Sequence, residues 1–217
     1  MLGFGNWTSK ETVHTVTDYY LFWAAWLLHV PLLFFLIYAA INGDWKNVAA
    51  NAIAILIAFV PRLMESNSGY RFPAIGEFAL AVVLFVEMLG RTFHLYEGHP
   101  FPFDVLSHGM IIGVISMFIV LLIYAFFVRQ NIDYDTWFII VAGVIIGLGI
   151  GALYELYEWM MDMFFNTNLL HGIRDTMIDL AVGGLGAFIG AWLAKLYRSR
   201  HSQEELAQEL PIFYDWL

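Results

Sequence analysis

Acidic and imidazole side chains recur along this sequence at spacings that stack them on helix faces. Glu87, Arg91 and His94, then Asp104 and His108, then Glu155, Glu158 and Asp162, and finally Asp175 and Asp179 stand three, four or seven residues apart, the separations at which side chains share one face of an α-helix. These groups and their flanks hold seven carboxylates (Glu87, Asp104, Glu155, Glu158, Asp162, Asp175, Asp179) against two arginines, Arg91 and Arg174, with His94 and His108 titratable. Like charges that close cannot all stay ionised without a counter-charge, so such a group either keeps protons or binds a cation. Carboxylate oxygens suit hard cations such as Mg, and imidazole adds affinity for Zn, Mn or Fe. The expected metal ligands are His108, Glu155, Glu158 and Asp179, and the expected acid–base set is Asp104, His108, Glu155, Glu158, Asp175 and Asp179. Arg91 and Arg174 are expected to hold an anionic head group.

Each position also has a plain structural use. Glu87 and Arg91 can form an i,i+4 ion pair. Asp104 can cap a helix, Arg174 and Asp175 can flank the start of another, and Asp162 and His94 can sit in aqueous loops. Glu155, Glu158, Asp179 and His108 fall inside long apolar runs and have no such use. An ionisable group at bilayer depth costs roughly 2.5–3.5 kcal/mol on insertion scales and is paired or functional as a rule.

The elements that must position these residues are membrane helices. Of 217 residues, 60% are hydrophobic and 13% charged, which leaves too little polar surface to cover a soluble globule. A spanning helix needs about 20 mostly apolar residues, and six stretches qualify: Tyr19–Ile41, Asn47–Leu63, Ala74–Gly90, Val105–Val128, Trp137–Met160 and Asp175–Tyr197. They are apolar all round and lack the alternation of a barrel strand. The fold class is therefore all-α, a polytopic bundle read as one domain over residues 1–217. Residues 1–18 form an interfacial N-terminal segment and residues 198–217 an acidic amphipathic tail. Breakers mark the connections, as in Asn42–Asp44, Ser66–Tyr70 and Gly98–Phe103. The first twenty residues lack the charged-then-apolar order of a signal peptide, so the first span is expected to insert uncleaved.

With six spans, the side of both termini carries Lys10, Arg62, Arg71, Arg129, Lys195, Arg198 and Arg200, and the other side Lys46, Arg91 and Arg174. By the positive-inside rule both termini are cytoplasmic. The acidic groups then meet near the outer leaflet of a multi-pass cell-membrane protein. Gly147 with Gly151 and Gly186 with Gly190 predict close packing of the fifth span on the sixth. Pro31 predicts a kink beside His29, which is expected to be buried with a backbone partner. Glu77 is expected to reach the interface or pair with Arg71. The eight Trp and eleven Tyr residues mostly flank spans, as interfacial belts do.

The absence of cysteine removes disulfides, thiolate metal sites and cysteine nucleophiles. A net charge of −9, from 19 acidic and 10 basic residues, with no basic patch, argues against a nucleic-acid partner. The expected partners are membrane lipids and an amphiphilic small-molecule substrate, and the sequence leaves the oligomeric state open, an oligomer included.

The order DVLSH (Asp104–His108), ELYEW (Glu155–Trp159) and RDTMID (Arg174–Asp179), followed by a glycine-rich helix, resembles the small bacterial membrane proteins of the YjdF-like and VanZ-like families over roughly residues 85 to 190. The matching positions are Asp104, His108, Glu155, Glu158, Asp175 and Asp179. The sequence departs from the VanZ-like pattern at Val105, where lysine is common, and near Gly183, where asparagine is expected, and its DTxxD spacing is closer to the YjdF-like form. The resemblance implies a polytopic membrane protein, and for VanZ-like members an association with glycopeptide resistance, without an established reaction.

Three functions fit these residues. One is a membrane enzyme that works on a lipid or isoprenoid-type substrate with a carboxylate and histidine cluster and a divalent metal. Another is a cation- or proton-coupled transporter, although the charges lie toward one end of the spans and no inverted repeat is evident. The third is a structural subunit of a membrane complex whose polar cluster fixes helix register.

Overall fold

The computed structural model describes residues 16–68, 72–96, 103–166, 170 and 172–202. Among these residues it contains six helices and no strand: α1 Val16–Ile41, α2 Trp45–Ser68, α3 Ala74–Thr92, α4 Phe103–Arg129, α5 Thr136–Phe165 and α6 Ile173–Arg198. The fold is the polytopic all-helical one expected. Most of the interfacial N-terminal segment and of the acidic tail lies outside the described residues, as do parts of the Ser66–Tyr70 and Gly98–Phe103 connections.

Five of the helices, all except α3, are long and apolar enough to cross a membrane. Helix α3 is 19 residues long and carries Glu77, Glu87 and Arg91, a polar content that sets it apart. Helix α5, at 30 residues, rises about 45 Å at 1.5 Å per residue. That exceeds a hydrocarbon core of about 30 Å, so one or both of its ends extend beyond it.

The turns follow from local chemistry. Helix α1 closes with Gly43 in the left-handed region at φ 70, where the Gly43 N–H donates to the Ala40 carbonyl at 3.1 Å and the Asp44 N–H to the Ala39 carbonyl at 3.0 Å. This is a Schellman closure, which favours glycine. Asp44 then opens α2 by accepting from the Asn47 N–H at 3.2 Å. Helices α3 and α4 end on the same pattern with His94 and Asn131 in the left-handed position, at φ 52 and 50.

The described residues form two compact units that divide within α3, one up to Phe85 and the other from Val86 onward. In the first, α1 packs on α2, and the buried Glu77 carboxylate accepts from Arg62 Nη2 at 3.1 and 3.2 Å. The Arg62 guanidinium lies 4.5 Å from the centre of the Phe22 ring. Glu77 thus takes Arg62 of α2, while Arg71, the partner expected, lies outside the described residues. Helix α1 continues through Pro31. His29 meets the rings of Trp26 and Phe59 at 5.9 and 6.4 Å, and the backbone partner expected for it is not found among the described residues.

The second unit is built on α4, α5 and α6, with α4 and α6 the most intimate pair. Its interior joins large side chains of α4 and α5, such as Met117, Leu121, Tyr124, Ile139 and Ile140, to small residues of α6. On α6 every buried residue between Asp179 and Tyr197 is small, namely Gly183, Gly186, Ala187, Gly190, Ala191 and Ala194, while Leu185, Phe188, Ile189 and Leu193 are exposed. Large apolar side chains of α6 face outward because hydrocarbon solvates them as well as a protein core does, and small ones face inward so that backbones can meet. The closest backbone approach differs from the one expected. Gly186 and Gly190 lie against the backbone of Gly109 and Gly113 on α4, where a Cβ on either α6 glycine would fall onto a carbonyl oxygen. Gly147 of α5 instead meets Cβ of Ser116 and Ala187, and Gly151 meets Ile112. The fifth helix is held to the fourth by a buried hydrogen bond from Ser116 Oγ to the Gly143 carbonyl, 3.1 Å long.

Candidate functional site

Antiparallel α4, α5 and α6 put the start of α4, the end of α5 and the start of α6 at one end of this unit. His108 lies five residues into α4 and Asp179 six into α6, about 8–9 Å below the helix starts. Asp104 stands in the first turn of α4, one residue inside the helix, rather than as its cap. Its side chain turns down the helix toward His108, one turn on.

The imidazole of His108 organises the cluster. Its Nδ1 is 3.3 Å from Asp104 Oδ1 and 3.8 Å from Asp179 Oδ1, and 3.3 Å from the Asp104 backbone carbonyl. The other ring nitrogen, Nε2, is 3.7 Å from Glu155 Oε1. The Tyr154 ring stands edge-on to the imidazole with centroids 5.5 Å apart. Asp179 and Glu155 are 5% and 7% exposed, so both carboxylates are more than nine-tenths buried. Three buried polar atoms, His108 Nε2, Glu155 Oε1 and Asp179 Oδ1, have no hydrogen-bond partner among the described residues. His108, Glu155 and Asp179 line one small pocket together with Ile112, Leu148 and Gly183. Leaving such atoms without partners costs about 1–3 kcal/mol each, and a bound water or cation removes that cost.

One ligand atom each from Asp104, His108 and Asp179 lies within 4.8 Å of the others. Ligands around a single ion at about 2.0–2.6 Å stand up to about 4–5 Å apart, so the three fit one cation without rearrangement of the backbone. The structure thus groups Asp104 with His108 and Asp179, and puts Glu155 on the opposite ring nitrogen. Glu158 lies three residues beyond Glu155, half-buried, with Glu155, His108, Asp104 and Asp179 as its electrostatic neighbours. Asp175, in the first turn of α6, interacts electrostatically with Asp179.

The two arginines are not brought into the cluster. Arg91 Nε donates to Glu87 Oε1 at 2.6 Å, the ion pair open to it on sequence grounds, and its side chain is 49% exposed. Arg174 is exposed on the first turn of α6. Asp162 accepts from the Leu170 N–H at 2.9 Å and so ties down the connection into α6. His94 is exposed and serves the end of α3 through its backbone.

Sequence spacing gave no sign of Tyr96. Its hydroxyl donates to Glu87 Oε2 at 2.5 Å, and its ring packs over Gly90, where a Cβ would come within 2.7 Å. Burial, and next the hydrogen bond to Glu87, push the Tyr96 phenol well above its ordinary range. The glycine at position 90 was the available signal, since it removes the side chain that would block the ring.

No curated protein and no solved structure matches the chain. Residues 24–200 match the family described as Predicted membrane protein (DUF2238). Long apolar helices with a polar cluster buried among them are in keeping with that description, and the chain belongs to this family of membrane proteins.

Proposed function

We propose that this protein is a metal-dependent enzyme of the cell membrane, acting on an amphiphilic lipid or isoprenoid phosphate. In this reading Asp104, His108 Nδ1 and Asp179 hold one divalent cation. The supporting observation is that one ligand atom each from Asp104, His108 and Asp179 lies within 4.8 Å of the others, beside the buried Asp179 Oδ1 that has no hydrogen-bond partner among the described residues. A mixed nitrogen and oxygen set favours Zn, Mn or Fe over Mg. A bound cation of this kind supplies a Lewis acid for a phosphoryl or carbonyl oxygen.

The remaining residues divide the work. Glu155, whose Oε1 faces His108 Nε2 at 3.7 Å without a hydrogen bond between them, would accept the Nε2–H once the two close up, and so fix the tautomer that leaves Nδ1 free for the cation. Glu158, half-buried nearer the helix end, moves a proton at the mouth of the site, and Asp175 modulates Asp179 from the turn above. Arg91 and Arg174, at the same end of the unit, attract the anionic head group. With both termini cytoplasmic, the site opens toward the outer leaflet, and the YjdF-like and VanZ-like likeness fits an envelope protein of this kind.

Elemental analysis of protein purified in mild detergent, then supplied with Zn, Mn, Fe and Mg in turn, tests the proposal. One equivalent in the parent and none in His108→Ala is the expected result. Failure of every metal to bind the parent sinks it. That failure favours a second reading, a proton-coupled carrier, which rests on a different feature. Both His108 nitrogens face oxygen acceptors, Nδ1 including the Asp104 carbonyl at 3.3 Å, and an imidazolium could donate to both sides.

A further inference from the structure

The opposite end of the α4–α6 unit carries two cations that the proposed metal site does not use. Lys195 and Arg198 stand three residues apart on the last turns of α6, on one face of the helix. The Lys195 ammonium lies 4.9 Å from the centre of the Trp137 ring and 4.3 Å from that of Trp192. The Arg198 guanidinium lies between two phenol rings, 5.1 Å from Tyr124 and 5.2 Å from Tyr134, and donates to the Tyr134 hydroxyl. Among the described residues neither cation has a carboxylate within ion-pair distance. Aspartates are present at this end: Asp135 caps α5 by accepting from the Trp137 N–H at 2.6 Å, and Asp133 is exposed in the turn before it.

Aromatic faces orient a cation and partly desolvate it, but they do not neutralise it. Each cation keeps unused donors, three on the ammonium and most of the five on the guanidinium. Tryptophan and tyrosine gather where hydrocarbon gives way to head groups, and Trp137 is 54% exposed. At that level the abundant anion is the phosphate of a lipid. The geometry points to a binding site for one anionic phospholipid, whose phosphate bridges Lys195 and Arg198 while its acyl chains run along the side of α6 that carries the exposed Phe188, seven residues before Lys195 and so on the same face. The site is independent of the metal cluster, since it shares no residue with it.

The test uses the full chain in detergent with three probes: phosphatidylglycerol, phosphatidylcholine and inorganic phosphate. Native mass spectrometry counts retained lipid, and thermal shift against lipid concentration reads affinity. We expect one phosphatidylglycerol per chain, bound more tightly than phosphatidylcholine and more weakly as salt is raised. At about 1 kcal/mol per basic residue near anionic lipid, Lys195→Gln weakens binding about fivefold and the double variant with Arg198→Gln about twenty-five-fold. Lys195→Arg keeps the charge and binds like the parent, and Arg200→Gln, outside the aromatic cradle, changes affinity less than about twofold. Should the double variant not fold, Lys195→Gln against Lys195→Arg carries the comparison. Equal binding of phosphatidylcholine, an unchanged Lys195→Gln affinity, or an equal shift from inorganic phosphate overturns the lipid site.

Discussion

His108 Nε2 faces Glu155 Oε1 across 3.7 Å, while Nδ1 of the same ring faces the carboxylates of Asp104 and Asp179. The two nitrogens are therefore offered to different tasks, one facing a carboxylate from α5 and the other carboxylates from α4 and α6. A metal-bound histidine commonly has this arrangement, with its second N–H given to an outer carboxylate.

Glu155→Gln should retain the fold and weaken divalent-metal binding by about 10–100-fold, the usual effect of losing an outer-shell partner. His108→Ala and Asp179→Asn should remove stoichiometric binding altogether. Metal-dependent thermal shifts of the three variants beside the parent check this. Parent-like affinity in Glu155→Gln would refute its outer-shell role while leaving the ligand set standing.

Gly190→Ala should destabilise the protein by about 1–3 kcal/mol, because the new Cβ meets a backbone carbonyl on α4 that has no rotamer to move. Gly149→Ala is the contrasting case. It has nothing within 4 Å of the added carbon, so helix propensity alone acts, in favour of alanine by about 1 kcal/mol at most. Equilibrium unfolding in detergent should separate the two variants in sign.

Glu77→Ala should cost about 3–5 kcal/mol, since it leaves the Arg62 guanidinium short of its buried counter-charge. Glu77→Gln should cost less, as it keeps an acceptor for Arg62. A parent-like melting temperature for Glu77→Ala would show that the other contacts of Arg62 suffice.

The chain has no cysteine, so single cysteines report topology without background. Asp133→Cys should be labelled only from the cytoplasm and Asn166→Cys only from outside, because α5 lies between them. Asn42→Cys decides the role of α3. If α3 spans, position 42 is labelled from outside; labelling on the same side as position 133 would mean that α3 does not cross.

The helices were legible because each is a long apolar run closed by a recognisable stop. Asn42–Asp44 carries the clearest one, a glycine for the left-handed closure and an aspartate for the next cap. Spacing also put His108, Glu155 and Asp179 on helix faces that meet once α4, α5 and α6 run antiparallel. Which carboxylate faces which ring nitrogen was beyond that reasoning, since helix rotation of a few tens of degrees exchanges Asp104 for Glu155. The α4 glycines were passed over for a similar reason: a four-residue glycine spacing marks a close contact without naming its partner, and three helices here carry one. The Arg62–Glu77 pair joins α2 to α3 across fifteen positions of sequence, and local periodicity says nothing about such a pairing.

The inward-facing small residues of α6 reach back to the moment of synthesis. A helix that keeps Asp179 and a row of glycines and alanines on one side offers the insertion machinery a poorer segment when judged alone, since an aspartate within a lone helix opposes insertion, by up to roughly 2.5–3.5 kcal/mol at the centre and by less toward an end, where Asp179 lies. Helix α4 emerges earlier from the ribosome and carries both the matching glycine groove and the histidine that meets Asp179. The last helix therefore enters the bilayer most readily against a sibling already there, and damage to the α4 groove should surface as failed biogenesis of α6 before it appears as lost activity.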